Sequence, residues 1–233
     1  MILPIEKRVL DQYAFVALTD VMGDDRTPAR TARTSFRNAL KERTEEQDAK
    51  LTDYLIRNDH NTPIEFVQLR FYMKLPIFVA RQLVRQRTQS INEVSYRYVQ
   101  AAREFYVPAI SRMQRKAENN KQGSSEEIVD RPEVCRQLMH EACNDAFDTY
   151  EDLLKEGLSP ELARTVLPVA TYTEWYVQMS MHNFLNSIAR LRTTVYAPHA
   201  QYEVKQFADA ALELTEQVFP VIVGAWRRKM VSP

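Results

Sequence analysis

Glycine is scarce in this chain: four among 233 residues, at positions 23, 123, 157 and 224. Neither GxGxxG nor GxxxxGK[ST] can be written with them, which removes the dinucleotide-binding βαβ unit and the phosphate-cradling P-loop. Cysteine is scarcer still, with Cys135 and Cys143 alone. On a helix they would stand roughly 12 Å apart, too far for a disulfide, and their spacing fits neither a redox CxxC nor a zinc pair. The histidines His60, His140, His182 and His199 are scattered and make no HExxH-type constellation, so no metal site is expected. Net charge is missing too, since 31 Lys and Arg balance 31 Asp and Glu. A general nucleic-acid binder rests on excess positive charge, so any anion site here must be local. No apolar run approaches a membrane span, and MILPIEKRVLDQY lacks the layout of a signal peptide. These absences point to a cytoplasmic protein with no membrane or nucleic-acid partner, and 233 residues suffice for one large domain or two small ones.

What is present alternates between strand and helix signals. AFVALTDV, 14–21, reads as a strand ending in a turn at Gly23-Asp24-Asp25. Helical patterns follow over 28–43 and 45–58. HNTPIEF is a helix-start signature, with Thr62 as N-cap, Pro63 at the first position and Glu65 closing the box. That helix is short, because 66–75 alternates: Val67, Leu69, Phe71 and Met73 face one way, and Gln68, Arg70, Tyr72 and Lys74 the other. Pro76 opens a helix with Ile77, Ala80, Leu83 and Val84 on its apolar side. A second alternating strand is expected over 93–99, and the polar segment 111–133 reads as a mobile loop. Helices are expected beyond it: 134–156 ending at Gly157, a short one from Ser159-Pro160, one over about 169–191, and a last over about 199–229 interrupted at Pro220. The fold class is α+β, a small antiparallel sheet packed with several helices and a helical C-terminal half.

The densest polar stretch is RQRTQSINEVSYRY, 85–98, with three arginines and one acid. Gln82, Arg85, Gln86 and Gln89 form one polar stripe at helical spacing. Arg81 and Arg85 are like charges at i, i+4, a cost of about 0.2–0.5 kcal/mol that a bound anion would reverse. On a strand, Glu93, Ser95 and Arg97 share a face, opposite Val94, Tyr96 and Tyr98. Guanidinium and hydroxyl suit a phosphate, and a carboxylate suits sugar hydroxyls or a ring N–H, so the row fits a nucleotide. The plainer alternative for the helix is a solvated basic face.

These residues resemble a known family. Flavin-dependent thymidylate synthases carry RHR, seven residues, then Ser; here Arg85-Gln86-Arg87 is followed by seven residues and Ser95. AFVALTDVMG with ARTARTSF, then HNTPIEF, KLPIFVARQ, GLSPELARTVLP and LR…HAQYEV resemble further family segments in the same order, so the resemblance covers most of the chain. It implies a single α+β domain over 1–233, assembled as a homotetramer with active sites shared between subunits. It also implies conversion of dUMP to dTMP, with methylenetetrahydrofolate giving the methylene and FAD reduced by NADPH giving the hydride. Carried over residue by residue, Gln82, Arg85, Glu93, Ser95 and Arg97 would contact dUMP, Ser95 and Arg97 near its phosphate. Arg164 would reach the phosphate from a neighbouring subunit, and Arg192 would stabilise the uracil ring as charge develops; Arg192 and Ser95 are the catalytic candidates. His60, Thr62, Glu65, Arg85, Gln86, Arg87, Asn92 and Glu93 would hold FAD, with Asn183 and Asn186 standing in for the family's Asn–Arg pair. Thr62 and Glu65 would serve twice, since a helix N-terminus attracts pyrophosphate.

Gln86 departs from the family's His: it hydrogen-bonds but cannot titrate. No histidine lies near Ser95 in sequence to activate it, and neither cysteine has basic neighbours that would form a thiolate. The expected mechanism therefore uses no enzyme nucleophile; the protein positions ligands and stabilises charge. Two other readings remain open: an RNA-binding module using Tyr96 and Tyr98, and a flavin or nucleotide binder impaired at Gln86.

Overall fold

The computed structural model describes residues 3–38, 40–86, 88–118, 123–192 and 200–231. Strands β1 (Ile5–Arg8) and β2 (Phe15–Met22) lead to helix α1 (Thr27–Ala32), which tightens into a 3-10 turn at Arg33–Phe36. Helix α2 (Glu45–Arg57) and the single turn α3 (Thr62–Glu65) precede β3 (Gln68–Pro76), α4 (Ile77–Leu83) and β4 (Ser90–Glu93). Strands β5 (Gln114–Lys116) and β6 (Ser124–Ile128) pair with each other. Helix α5 (Pro132–Lys155), α6 (Pro160–Ala163) and a 3-10 turn at Arg164–Val166 run to β7 (Tyr172–Ser180). The chain finishes with α7 (Met181–Asn186), a 3-10 turn at Ala189–Arg192, α8 (Tyr202–Val218) and α9 (Pro220–Val231).

The main sheet is antiparallel in the order β1-β2-β3-β7-β4, and β3 and β7 pair along their whole length. One face is apolar. Val16 and Leu18 of β2, Phe71 and Met73 of β3, and Trp175 and Val177 of β7 lie in register across it, all buried. Against β2 lies α8, which supplies Phe207, Ala208, Ala211 and Leu212 to the same core. The opposite face is a polar network. Lys74 Nζ meets Glu104 at 2.5 Å and Glu174 at 3.2 Å, the Tyr72 hydroxyl donates to Glu174, and Arg70 donates to Gln178 at 3.0 Å. Burial works against the Lys74 charge, but the two carboxylates outweigh it and raise its pKa. Burial, then Glu174, pushes the Tyr72 phenol up to about 12.

Several sequence expectations hold, and several need correcting. Val67, Leu69, Phe71 and Met73 are buried as the alternation requires, Gly157 closes the end of α5 at φ +86°, and Pro220 does interrupt the last helix. Both cysteines are free. The helix expected over 169–191 is instead the interior strand β7 followed by the short α7. Thr173, Trp175, Val177 and Met179 are buried while Glu174, Tyr176 and Gln178 point outward, a period of two. The helix expected over 28–43 stops at Phe36, with Arg37 left-handed at φ 55°. Thr62 lies inside α3, the cap position falls to Asn61 without a side-chain cap, and the capping box belongs to Thr44 and Gln47 at the start of α2. On α4, Ala80 and Leu83 are buried as expected, but Val84 is exposed and Val79 takes its place in the core. The segment 111–133 carries the β5–β6 pair and the start of α5; residues 119–122 lie outside the described residues. The last helix begins at Tyr202, and 193–199, with His199, also lie outside.

Candidate active site

Pro76, held in extended geometry, ends β3 and starts α4, which buries Val79, Ala80 and Leu83. The helix runs out within a turn: the Gln86 N–H donates to the Leu83 carbonyl at 3.0 Å, and Gln89 Nε2 donates to the same carbonyl at 2.8 Å. Residues 85–89 therefore form a turn between α4 and the edge strand β4, with Arg85 exposed and Gln86 half-buried. Arg87 lies outside the described residues. Gln82 is exposed and donates to the Gln201 side chain at the start of α8.

Helix α7 braces this turn. Asn183 Nδ2 donates to the Thr88 carbonyl at 3.1 Å. Asn186 Nδ2 is engaged with His182, donating to its carbonyl at 3.1 Å. Asn186 also lines, with Asn61, Ile64 and His182, a cavity of about 20 Å³, room for one water. Helix α3 packs on α7, which brings Thr62 and Glu65, both exposed, to the same side; the His60 ring stands 5.7 Å from that of Tyr54. With four residues, α3 aligns few peptide dipoles at its N-terminus.

Strand β4 pairs with β7 as Ser90↔Gln178, Asn92↔Tyr176 and Glu93↔Trp175. Asn92 is exposed in the same row as Tyr176 and Tyr72, whose ring centroids are 4.8 Å apart. Glu93 accepts from Thr173 Oγ1 at 2.6 Å. The strand expected over 93–99 ends there: the Tyr98 and Val99 N–H groups both turn back to the Ser95 carbonyl, at 2.9 and 3.2 Å. Tyr96 causes this turn in part, because its hydroxyl is carried inward to the Tyr172 carbonyl. Burial, then the charges of Glu174, Glu104 and Glu93, pushes that phenol up to about 12. Tyr98, by contrast, is 82% exposed.

The turn still joins Ser95 to Arg97, though not as neighbours along a strand. The Arg97 N–H donates to Ser95 Oγ at 3.4 Å, and Arg97 Nε and Nη2 donate to Glu161 Oε2 at 3.2 and 3.0 Å. Arg164 Nε donates to the Glu161 carbonyl at 3.4 Å. Arg97 therefore pairs with the Glu161 carboxylate, while Arg164, one turn further along, bonds the Glu161 backbone. Between this cluster and the α3–α7 side runs β4, about 10 Å from Ser90 to Glu93 at the usual strand rise. Arg192 closes its 3-10 turn; its side chain lies outside what is described.

Three residues of this arrangement were given no role from sequence. Glu161 had a signal, an acid three residues before Arg164 at a helix start. Thr173 was hidden with β7, and Gln201 sat unremarked inside HAQYEV. Neither cysteine belongs to the arrangement: both lie on α5, and burial pushes the Cys143 thiol up, away from a reactive thiolate.

Comparison with known proteins identifies the family. Residues 17–221 match the family described as thymidylate synthase complementing protein. A flavin-dependent thymidylate synthase of Thermus thermophilus is 40% identical over 229 residues, which is 98% of this chain and 81% of that one. That of Treponema denticola is 40% identical over 226 residues, 96% and 82% of the two chains. Among solved structures, the UMP/dUMP methylase PolB from Streptomyces cacaoi bound with 5-Br dUMP superposes with a TM-score of 0.84 at 30% identity, covering 94% of this chain and 97% of that one. The helix, turn and edge strand that carry Arg85 to Arg97 sit in a chain matched nearly end to end, and this protein belongs to the flavin-dependent thymidylate synthase family.

Proposed function

We propose that this protein converts dUMP to dTMP, with methylenetetrahydrofolate as one-carbon donor and NADPH as reductant of a bound FAD, as a cytoplasmic homotetramer. The observation that carries the reading is the turn after β4, which holds the Ser95 hydroxyl and the Arg97 guanidinium and ties Arg97 to Glu161, three residues before Arg164. Guanidinium and hydroxyl are donor types that a phosphate monoester site uses. Glu93, fixed by Thr173, offers a carboxylate one strand position before that turn, where it would accept from the ring N–H or a sugar hydroxyl. Gln82 and Arg85 would complete the nucleotide contacts, and Arg192 would stabilise charge developing on the uracil.

The residues fit FAD by donor chemistry. Thr62, Arg85, Gln86 and Asn92 present hydroxyl, guanidinium and amide groups from α3, the motif turn and β4, and His60, Glu65 and Arg87 would complete that set. Asn183 would act through the motif turn it braces, and Asn186 behind it. FAD would supply the hydride; the protein's part is to hold the nucleotide, exclude water and stabilise charge. No side chain is assigned as nucleophile. A covalent dUMP–enzyme adduct would overturn that assignment.

The relative PolB, a UMP/dUMP methylase bound with 5-Br dUMP or 5-Br UMP, favours UMP as a second substrate to test. Purified protein should be yellow, bleach with NADPH, and release tritium from 5-tritiated dUMP when methylenetetrahydrofolate is added. Protein that stays colourless with added FAD and releases no tritium would sink the proposal. Flavin and dUMP binding without release, restored by Gln86→His, would establish the impaired-homologue reading instead.

A further inference from the structure

One charged side chain stands inside the candidate phosphate cradle without being a ligand type for phosphate. Glu161 Oε2 takes both donors of one edge of the Arg97 guanidinium, Nε at 3.2 Å and Nη2 at 3.0 Å. This edge is the one a phosphate engages in a bidentate pair. The Glu161 backbone carbonyl accepts from Arg164 Nε, one turn further along the chain. Ser95 Oγ accepts from the Arg97 backbone N–H, in the same turn as Arg97.

The pair is half in water, with 49% of the Arg97 side chain and 57% of the Glu161 side chain exposed. An ion pair of that exposure contributes little and exchanges readily. A phosphate monoester brings three acceptor oxygens and nearly two charges against one carboxylate, so exchange favours the phosphate. Glu161 is also free to leave. It lies on the exposed side of the one-turn α6, while Ala163, two residues on, is the part of that turn buried against α5.

Resting on the nucleotide reading above, we infer that the Glu161 carboxylate is a built-in competitor for the nucleotide phosphate. It occupies the Arg97 edge the phosphate needs, gives way when the phosphate binds, and thereby sets affinity for phosphorylated nucleotides. Even after it swings aside, its charge stays near the phosphate and opposes binding.

Glu161→Gln keeps the size and removes the charge. The measurements are the dissociation constant for dUMP by calorimetric titration and the inhibition constant of inorganic phosphate against dUMP. Both should fall by roughly twofold to fivefold, the factor an exposed ion pair is worth. A thermal unfolding midpoint equal to wild type would show that the variant is folded. Unchanged or weaker binding of both ligands would overturn the inference and make Glu161 a brace for Arg97. Arg97→Gln separates the two levels of the argument. If it leaves dUMP affinity unaltered, Arg97 is no phosphate ligand, and the nucleotide assignment falls together with the inference. If it weakens dUMP binding while Glu161→Gln fails to tighten it, the inference alone falls.

Discussion

Asp48 is 1% exposed and is shared by two arginines: Arg26 Nε donates to it at 2.7 Å, and Arg33 donates to its other oxygen. Burial disfavours its charge, but the two guanidiniums outweigh burial and hold the carboxyl below its ordinary value of 3.8. A carboxyl depressed in the folded state contributes stability that is present above 3.8 and is lost as pH falls through the lower folded value. Asp48→Ala leaves the nearly buried Arg33 without this counter-charge and should cost about 3 kcal/mol in urea unfolding at neutral pH. The difference from wild type should shrink in acid below pH 4. An equal loss at all pH values would place the effect in packing. At this scale the sequence was informative where function is spelled by type and spacing, as in Arg85, Ser95 and Arg97. It was silent about Asp48 and Glu161, because the arginines they answer lie 15 or more positions away.

At the scale of elements, β3 was legible and β7 was not, although they are partners along their full length. The outward positions of β3 carry Gln68, Arg70, Tyr72 and Lys74, so its alternation is plain. Those of β7 include Tyr176, and the helix MHNFLN starts directly after Ser180, so the run reads as one long apolar helix. Local signals place the break at Pro220 but not the group that caps α9. The Asp25 carboxylate, from the turn after β2, accepts the N–H groups of Val221 and Ile222 at 3.1 and 2.9 Å and caps the helix across the fold. Burial, partly offset by those two bonds, raises the Asp25 pKa. Asp25→Ala should cost about 1 kcal/mol, as loss of an N-cap does, and should speed hydrogen exchange at the Val221 and Ile222 amides in particular. Faster exchange spread evenly over the chain would point to a global effect instead.

Across the whole molecule, the candidate site is assembled from a helix end, an edge strand and a one-turn helix that the sheet order β3-β7-β4 brings side by side. Within one chain Arg97 bonds the Glu161 carboxylate and Arg164 the Glu161 backbone, which bears on how a shared site would be divided among subunits. If each site takes both arginines from one subunit, mixed oligomers of Arg97→Ala and Arg164→Ala subunits stay inactive, because each chain carries a broken cradle. Recovery of dTMP formation on mixing would show that different subunits supply the two arginines.

The sequence by itself determined the family, through the spacing of Arg85, Arg87 and Ser95 and the order of the flanking segments. It also determined the face that β3 buries, the stop of α5 at Gly157 and the break at Pro220, since each depends on residues within a turn or strand of one another. Only the tertiary structure decided that 172–180 is the strand between β3 and β4, that β4 ends at Glu93, and that Glu161 answers Arg97. Those outcomes turn on pairings between residues far apart along the chain. A buried phenol such as Tyr96 finds its acceptor at Tyr172, and that contact overrides the local preference of 93–99 to run on as a strand.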